Sequence, residues 1–547
     1  MSQQDFVRRL NGNLISRRRF LGGLAALTAG GMLAGNASDL LAASQQPSHA
    51  LSPFAPHRVR GERAAPEGRM VWLSAEPFAG SWDPTMHMVL AQLHAEWNAF
   101  DRLLDFDLKS GQFVPKLALD YKIVPEGLEF NLRQGVKFHN GEPFTAQDVK
   151  YTFERASSPP QVTKDYFPGP VEVEIVDDYK VKFHTKTPLP VLNVQSIIQV
   201  VSHKDSPEKL AEAHNGTGPF KFVRYAGDQE TVYYEANTDY WMGPPRMKEL
   251  LMTYVGDPST RLAALQTGEA DVIDRVPADH VATIEGDPNL RMITSQSTEL
   301  TYLNFKVAKS EFTKNKLIRQ AFAHCIDSEG IVEGIMSGHA AVPDSIFANT
   351  VWPFGAPAGD AMPKYDLEAA RKKLAEAGFP NGEGLPEFNV IGVVGFYPNM
   401  KEYMEYIAAQ CKQVGLNMRL EIKETAAWLD SYFSGVLDAD AIFIGWMNMS
   451  PEPDEFLLPF FRSGSPITFI EDPEFDKLLE KDSTTTDPEL RAKIMREEVV
   501  PTAADMCIDI PIVHSLNMHA STAEVQNYSI LPNSCFELWD TYIEKKA

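Results

Sequence analysis

Cysteine is scarce: four residues, Cys325, Cys411, Cys507 and Cys535, are spread through 547 positions without a C-x-x-C pair. That leaves no disulfide framework of a small secreted scaffold and no metal-ligand spacing, so the thiols read as separate buried groups. Basic charge is also in deficit, with 51 Lys and Arg against 74 Asp and Glu, a net of −23. Phosphate backbones are held by clustered basic side chains, which excludes nucleic acid as the expected partner. After the N-terminal region no run of about 18 apolar residues occurs, so no permanent membrane span is expected. Catalytic signatures are missing as well: there is no G-x-S-x-G elbow, no G-x-x-x-x-G-K-[ST] loop and no H-E-x-x-H. Asn215 to Phe220 (NGTGPF) and Asn381 to Pro386 (NGEGLP) lack the third glycine of a dinucleotide loop and read as turns. His87 and His94, seven apart, sit two helical turns from one another and read as core or surface histidines. No catalytic residue, metal or cofactor is expected. At 44% apolar and 23% charged residues, the composition is that of an ordinary globular protein with about three folding units.

What is present begins at the N-terminus. Ser16 to Gly22 reads SRRRFLG, followed by a short Ala- and Gly-rich apolar run to Gly35. The run is too short to be a stable membrane anchor and reads as a removable export signal. It resembles the twin-arginine signal, with Arg17, Arg18, Phe20 and Leu21 at the pattern positions, which implies export of a folded chain to the periplasm. Residues 1–43 are the expected signal, and 44–68, rich in Pro, Ala, Arg and Gln without periodicity, a tether.

Beyond it, strands and helices alternate irregularly. Lys122 to Leu132 around Glu126-Gly127, and Val171 to Phe183 around Asp177-Asp178, predict hairpins. Phe220 to Glu235 around Gly227-Asp228 predicts a third. Asp366 to Ala377 is an amphipathic helix capped by Asp366 and followed by Gly378, and Met400 to Val414 is another, leading into a strand over Leu416 to Ile422. A mixed α/β fold follows, and no 20 to 50 residue repeat is visible.

Five stretches rise above this background. Gly135 to Arg155 reads GVKFHNGEPFTAQDVKYTFER, with Thr145 placed to cap a helix bearing Val149, Phe153 and Ala156. Asn215 to Pro245 carries NGTGPFKF and EANTDYWMGPP; Arg261 to Val272 reads RLAALQTGEADV; Ile318 to Asp327 reads IRQAFAHCID; Ala370 to Pro380 reads ARKKLAEAGFP. In this order they closely resemble the family-five extracytoplasmic solute-binding proteins, the peptide, nickel and opine receptors of ABC importers, from about Arg69 to Trp539.

The resemblance implies a two-lobed periplasmic-binding-protein fold of type II with an extra domain inserted in lobe one and two crossover strands as hinge. Mapped here, lobe one is 69–297 with the insert at about 97–215, lobe two is 298–518, and 519–547 returns to lobe one. Thr298 to Lys306 and Ile510 to Met518 are the expected crossovers. The implied partners are a small-molecule or peptide ligand and an inner-membrane permease with its ATPase, the receptor itself being a monomer. The implied site lies in Gly445 to Phe456, GWMNMSPEPDEF. In peptide-binding relatives this loop carries an aspartate for the α-ammonium; here that position is Met449. Where oligopeptide receptors can carry an arginine, this chain has Phe443. Without these charges the ends of a free peptide lose their charge-assisted bonds. Phe443, Trp446, Met447 and Met449 then form an apolar or ring-stacking wall, or fill the core behind the loop, with Asn448 and Glu452 as polar contacts. By position, Trp82 to Met88 including His87, Tyr302 with Asn304, and Phe396-Tyr397 are further wall candidates. Asp148 and Arg155 read as helix capping and surface pairing, and Arg319 as structural.

Capture of a peptide or peptide-like solute by lobe closure is the function so implied. A receptor for an opine, sugar or organic cation, an exported cofactor-dependent enzyme, and a chaperone or sensory subunit on the same scaffold are the competing readings.

Overall fold

The chain enters its fold along β1 (Arg69–Ser74), a strand buried from Met70 onward whose neighbours arrive much later in sequence. The structure, a computed structural model, describes residues 65–544 apart from 79–80, 88, 108–111, 227–229, 354–356, 395–396, 425–437 and 466. The expected signal with Arg17, Arg18, Phe20 and Leu21, the tether up to residue 64, the Gly227-Asp228 turn and Phe396 therefore lie outside the described residues.

After β1 come a small pair, β2 (Leu104–Asp107) and β3 (Gln112–Pro115), and a four-stranded antiparallel sheet of β4 (Ala118–Val124), β5 (Gly127–Leu132), β6 (Glu172–Asp177) and β7 (Lys180–His184). Both hairpins of that sheet turn where expected, and Gly127 supplies the positive φ of 143° at one of them. The helix Ala146–Ala156 packs on this sheet. It starts in a capping box in which Asp148 accepts the Thr145 backbone N–H at 2.8 Å, and buries Val149, Phe153 and Ala156. Phe130, Phe144, Phe153 and Phe183 form the core of this insert.

Lobe one resumes with β8 (Phe220–Ala226), β9 (Thr231–Ala236), β10 (Glu249–Tyr254) and β11 (Val272–Ile273), then leaves through β12 (Leu290–Phe305). Lobe two supplies β13 (Ala340–Ala341), β14 (Phe388–Val394), β15 (Met418–Glu424) and β16 (Ala441–Met447) before β17 (Asp509–Thr522) runs back. The order β15-β14-β16-β12-β17-β11-β1-β10-β9-β8, with β13 on β17, makes one sheet through both lobes. Its inner parallel strands β14 and β16 are apolar at consecutive positions, as burial on both faces requires, whereas the edge strand β15 alternates Met418, Leu420 and Ile422 with charged residues.

β12 and β17 are antiparallel along their whole length, and both extend further into lobe one than Thr298 to Lys306 and Ile510 to Met518 predict. Of the extra residues in β12, Arg291, Thr294 and Gln296 are exposed and polar, which masks the strand in sequence. Between Gln296 and Leu300 the register breaks, so that Ser297, Thr298 and Glu299 bulge opposite Ser515. The bulge is tied down: Ser297 Oγ donates to Ser515 O at 2.7 Å and Thr298 Oγ1 to Asn448 O at 2.6 Å.

Lobe two is built on Leu303, Phe322, Phe388, Tyr403 and Phe456, and lobe one on Trp72, Phe100, Tyr234 and Phe536. Phe536 and Leu538 belong to the C-terminal return; Asn98 clamps it, donating to Phe536 O at 3.2 Å and accepting from Leu538 N at 2.8 Å. All four cysteines are buried free thiols.

Candidate functional site

β16 delivers the loop 445–456, and its first residue explains its own identity. A side chain on Gly445 would put Cβ 2.3 Å from the Tyr397 ring, whose hydroxyl donates to Gly445 O at 2.9 Å. Trp446 stands edge-on to Phe460 with centroids 4.9 Å apart. Asn448 donates to Glu452 O at 2.8 Å and so closes the turn. The Glu455 carboxylate accepts from Met449 N at 2.6 Å, Ser450 N at 2.9 Å and Ser450 Oγ at 2.7 Å. Burial nevertheless outweighs these bonds and pushes Glu455 up to about 7.

Glu452 is not a free polar contact. It is wholly buried and held by Arg491 at 2.6 and 3.0 Å, and it accepts from Asn193 of the insert at 2.6 Å. Arg491 also pairs with Asp482 at 3.0 Å and lies over the Trp352 ring. A buried carboxylate needs such a partner, and the planar guanidinium serves two at once. With the loop fixed by these bonds, Met449 projects to the insert's core, and its carbonyl accepts from Asn533 at 2.9 Å.

The facing wall is the segment after β1. Asp83 is buried and accepts from Thr85 N at 3.0 Å, Thr85 Oγ1 at 2.8 Å and Arg155 Nη1 at 2.9 Å. Arg155, expected in surface pairing, is instead the half-buried partner that shapes this segment, pairing with the buried Asp83 carboxylate. His87 Nε2 lies 3.0 and 3.1 Å from the Glu96 carboxylate, which burial holds above its usual range.

Between these walls lies a cavity enclosing about 360 Å³ of space, part of it open to solvent. His87, Leu93, Trp97, Tyr166 and Gln199 face Met449 across it. Of the ten residues expected at the site, His87 and Met449 meet here. Trp446, Asn448 and Glu452 frame the loop behind Met449. The others sit elsewhere. Phe443 is fully buried in lobe two beside Tyr403, since β16 runs through the middle of the sheet. Tyr302 stacks on Phe456 and donates to Ile346 O at 2.9 Å, and Asn304 donates to Asp509 at 2.6 Å inside the crossover pair. Tyr397 supports Gly445, and Trp82 is stacked on Tyr225, centroids 5.0 Å apart, in lobe one. Sequence reasoning misses Trp97, Tyr166 and Gln199. The available signal for the last is a lone amide inside the buried run Ile197 to Val201.

The model for bacterial extracellular solute-binding proteins, family 5 Middle, matches residues 112–466. Heme-binding protein A of Haemophilus influenzae is 30% identical over 465 residues, 78% of this chain and 84% of that protein. The dipeptide-binding protein of Escherichia coli is 25% identical over 79% of this chain and 86% of its own length. Among solved structures, a dipeptide-binding protein from Pseudoalteromonas sp. SM9913 in complex with Met-Leu superposes with a TM-score of 0.76 at 24% identity, over 87% of this chain and all of that one. With the family model spanning most of the chain and the lobes, insert and crossover strands in place, this protein belongs to the family 5 extracellular solute-binding proteins.

Proposed function

We propose that the protein is the periplasmic substrate-binding component of an ABC importer, which captures a peptide or peptide-like solute by lobe closure and hands it unaltered to a membrane permease and its ATPase. The observation that carries this reading is the meeting of Met449, from the lobe-two loop, with His87 and Trp97 of lobe one across one cavity. A solute touching both sides binds the closed arrangement better than the open one, and so shifts the population toward it. The two strands β12 and β17, bulged where they pass between lobes, are the segments that would absorb the swing. No bond is made or broken in this cycle. The relatives named for dipeptide and heme support a peptide-like or ring-bearing cargo. Met449, an uncharged residue at the loop's tip, favours cargo whose ends are neutral or cationic over free zwitterionic peptides. Delivery to the periplasm rests on the twin-arginine pattern at Arg17, Arg18, Phe20 and Leu21.

A thermal-shift panel tests this reading. Neutral-ended or cationic, ring-containing peptide-like solutes are expected to raise the melting temperature more than free dipeptides. Strong stabilisation by ordinary di- or tripeptides at micromolar levels would reject the preference, and steady turnover of a bound solute would reject the receptor.

A further inference from the structure

Native proteins pair nearly all of their buried polar atoms, and an unpaired buried amide costs several kcal/mol. The cavity beneath Met449 departs from this rule on one side. Gln199 is 2% exposed, yet neither its Oε1 nor its Nε2 has a hydrogen-bond partner. His87 Nδ1 and the Trp97 indole Nε1 are likewise buried and unpartnered. All three side chains line the same cavity, whose other surfaces are Pro84, Leu93, Ile197, Ile198 and Met449, the Tyr166 ring, and Thr85 and Thr163, whose hydroxyls already bond within the protein.

The chemistry of the unmet set is specific. Gln199 offers one acceptor and a donor amide, and Trp97 offers a donor only. His87 Nε2 is engaged by the Glu96 carboxyl at 3.0 Å, so Nδ1 is the ring nitrogen left to meet cargo. The cavity thus asks for a group that both donates and accepts. No lining side chain among the described residues is a carboxylate, ammonium or guanidinium. The nearby carboxyl groups already have partners, Glu96 in His87 and Asp83 in Arg155. A carboxylate would bring no donor and an ammonium no acceptor, and either would enter the cavity without a counter-charge. An uncharged amide supplies both functions.

We propose that this cavity is an amide subsite: it takes an uncharged carboxamide or peptide group of the cargo, and Gln199 is the specificity-determining residue that reads it. The inference rests on the receptor reading above and goes beyond it by naming the chemical group bound and the side chain that selects it. An apolar ligand seated in the cavity cannot meet the Gln199 amide, which is how one amide discriminates between ligands of equal shape.

The test is calorimetric titration of the mature protein, stripped of bound solute, with two probes: N-acetyl-leucyl-leucinamide, uncharged at both ends, and free Leu-Leu. The wild type is expected to bind the uncharged probe at least tenfold more tightly. Gln199→Leu, similar in volume, should weaken that probe by tenfold or more, leave any Leu-Leu affinity within threefold, and melt no lower than the wild type. Gln199→Met is the second variant, should the first fail to fold. Unchanged affinity for the uncharged probe in either folded variant overturns the amide subsite while leaving the receptor intact. Failure of the wild type to bind either probe or any other peptide-like solute overturns both.

Discussion

Asn193 donates its side-chain amide to Glu452 at 2.6 Å, and this one bond joins the end of an insert helix, Pro188–Asn193, to the lobe-two loop that carries Met449. Glu452 is simultaneously gripped by Arg491, so the acceptor is fixed from its own lobe before the insert meets it. The bond thus ties the insert to lobe two as a latch apart from the cavity beneath Met449.

Asn193→Leu removes the latch without leaving Glu452 unpaired. A hydrogen bond to a charged group contributes about 1.5–3 kcal/mol, so cargo affinity should fall roughly tenfold, through faster release, with melting of the cargo-free protein little changed. Stopped-flow dissociation measurements check this; an unaltered release rate would show that the bond does not report on closure.

Arg491→Met is predicted to be far more damaging. It strands Glu452 and Asp482, both buried, and breaking such a set by removing the cation costs about 3–5 kcal/mol. Arg491→Lys should recover only part of this, because a point charge cannot bond both carboxylates in the planar geometry. Denaturant melts of the two variants decide it, and a loss under about 1 kcal/mol in Arg491→Met would contradict a buried pairing.

Asp509 gives a pH test. Burial pushes its carboxyl up to about 8 from an ordinary 3.8, opposed by the bond from Asn304 and the charge of Lys306. A folded pKa above the unfolded one means that the folded chain holds the extra proton. Its contribution is thus fully present below about pH 4 and is lost as pH rises to about 8. Asp509→Asn should therefore gain in relative stability between pH 5 and pH 9. Melting curves at the two pH values check the sign; a constant difference would refute it.

Gly445→Ala forces Cβ against a Tyr397 ring that is itself anchored by its hydroxyl. Overpacking of this kind costs about 1–3 kcal/mol. Thermal melts should show the loss, and Tyr397→Leu in the same chain should restore part of it; additive effects of the two changes would argue against the contact.

Local features were readable where short-range chemistry decides them. Thr145 and Asp148 make their capping box, and the turns at Glu126-Gly127 and Asp177-Asp178 close their hairpins, because each depends on residues a few positions apart. Arg319, read as structural, donates to the carbonyls of Thr313 and Met506. The site was less legible. Glu452 looks like a ligand contact until Arg491, 39 residues on, is found to occupy it, and Arg155 finds Asp83 across 72 residues. Phe443 and Tyr302 lie in strands covered on both faces, where an apolar or aromatic residue carries no mark of whether it meets cargo or core. Gln199 was hidden for the opposite reason: its surroundings are so apolar that the stretch reads as strand or core alone.

The most direct test of the account is small-angle scattering of the stripped protein with and without a solute that raises its melting temperature. A saturable fall in radius of gyration at the calorimetric affinity, with the solute recovered intact, is the predicted result. Identical profiles at full occupancy would contradict capture by lobe closure.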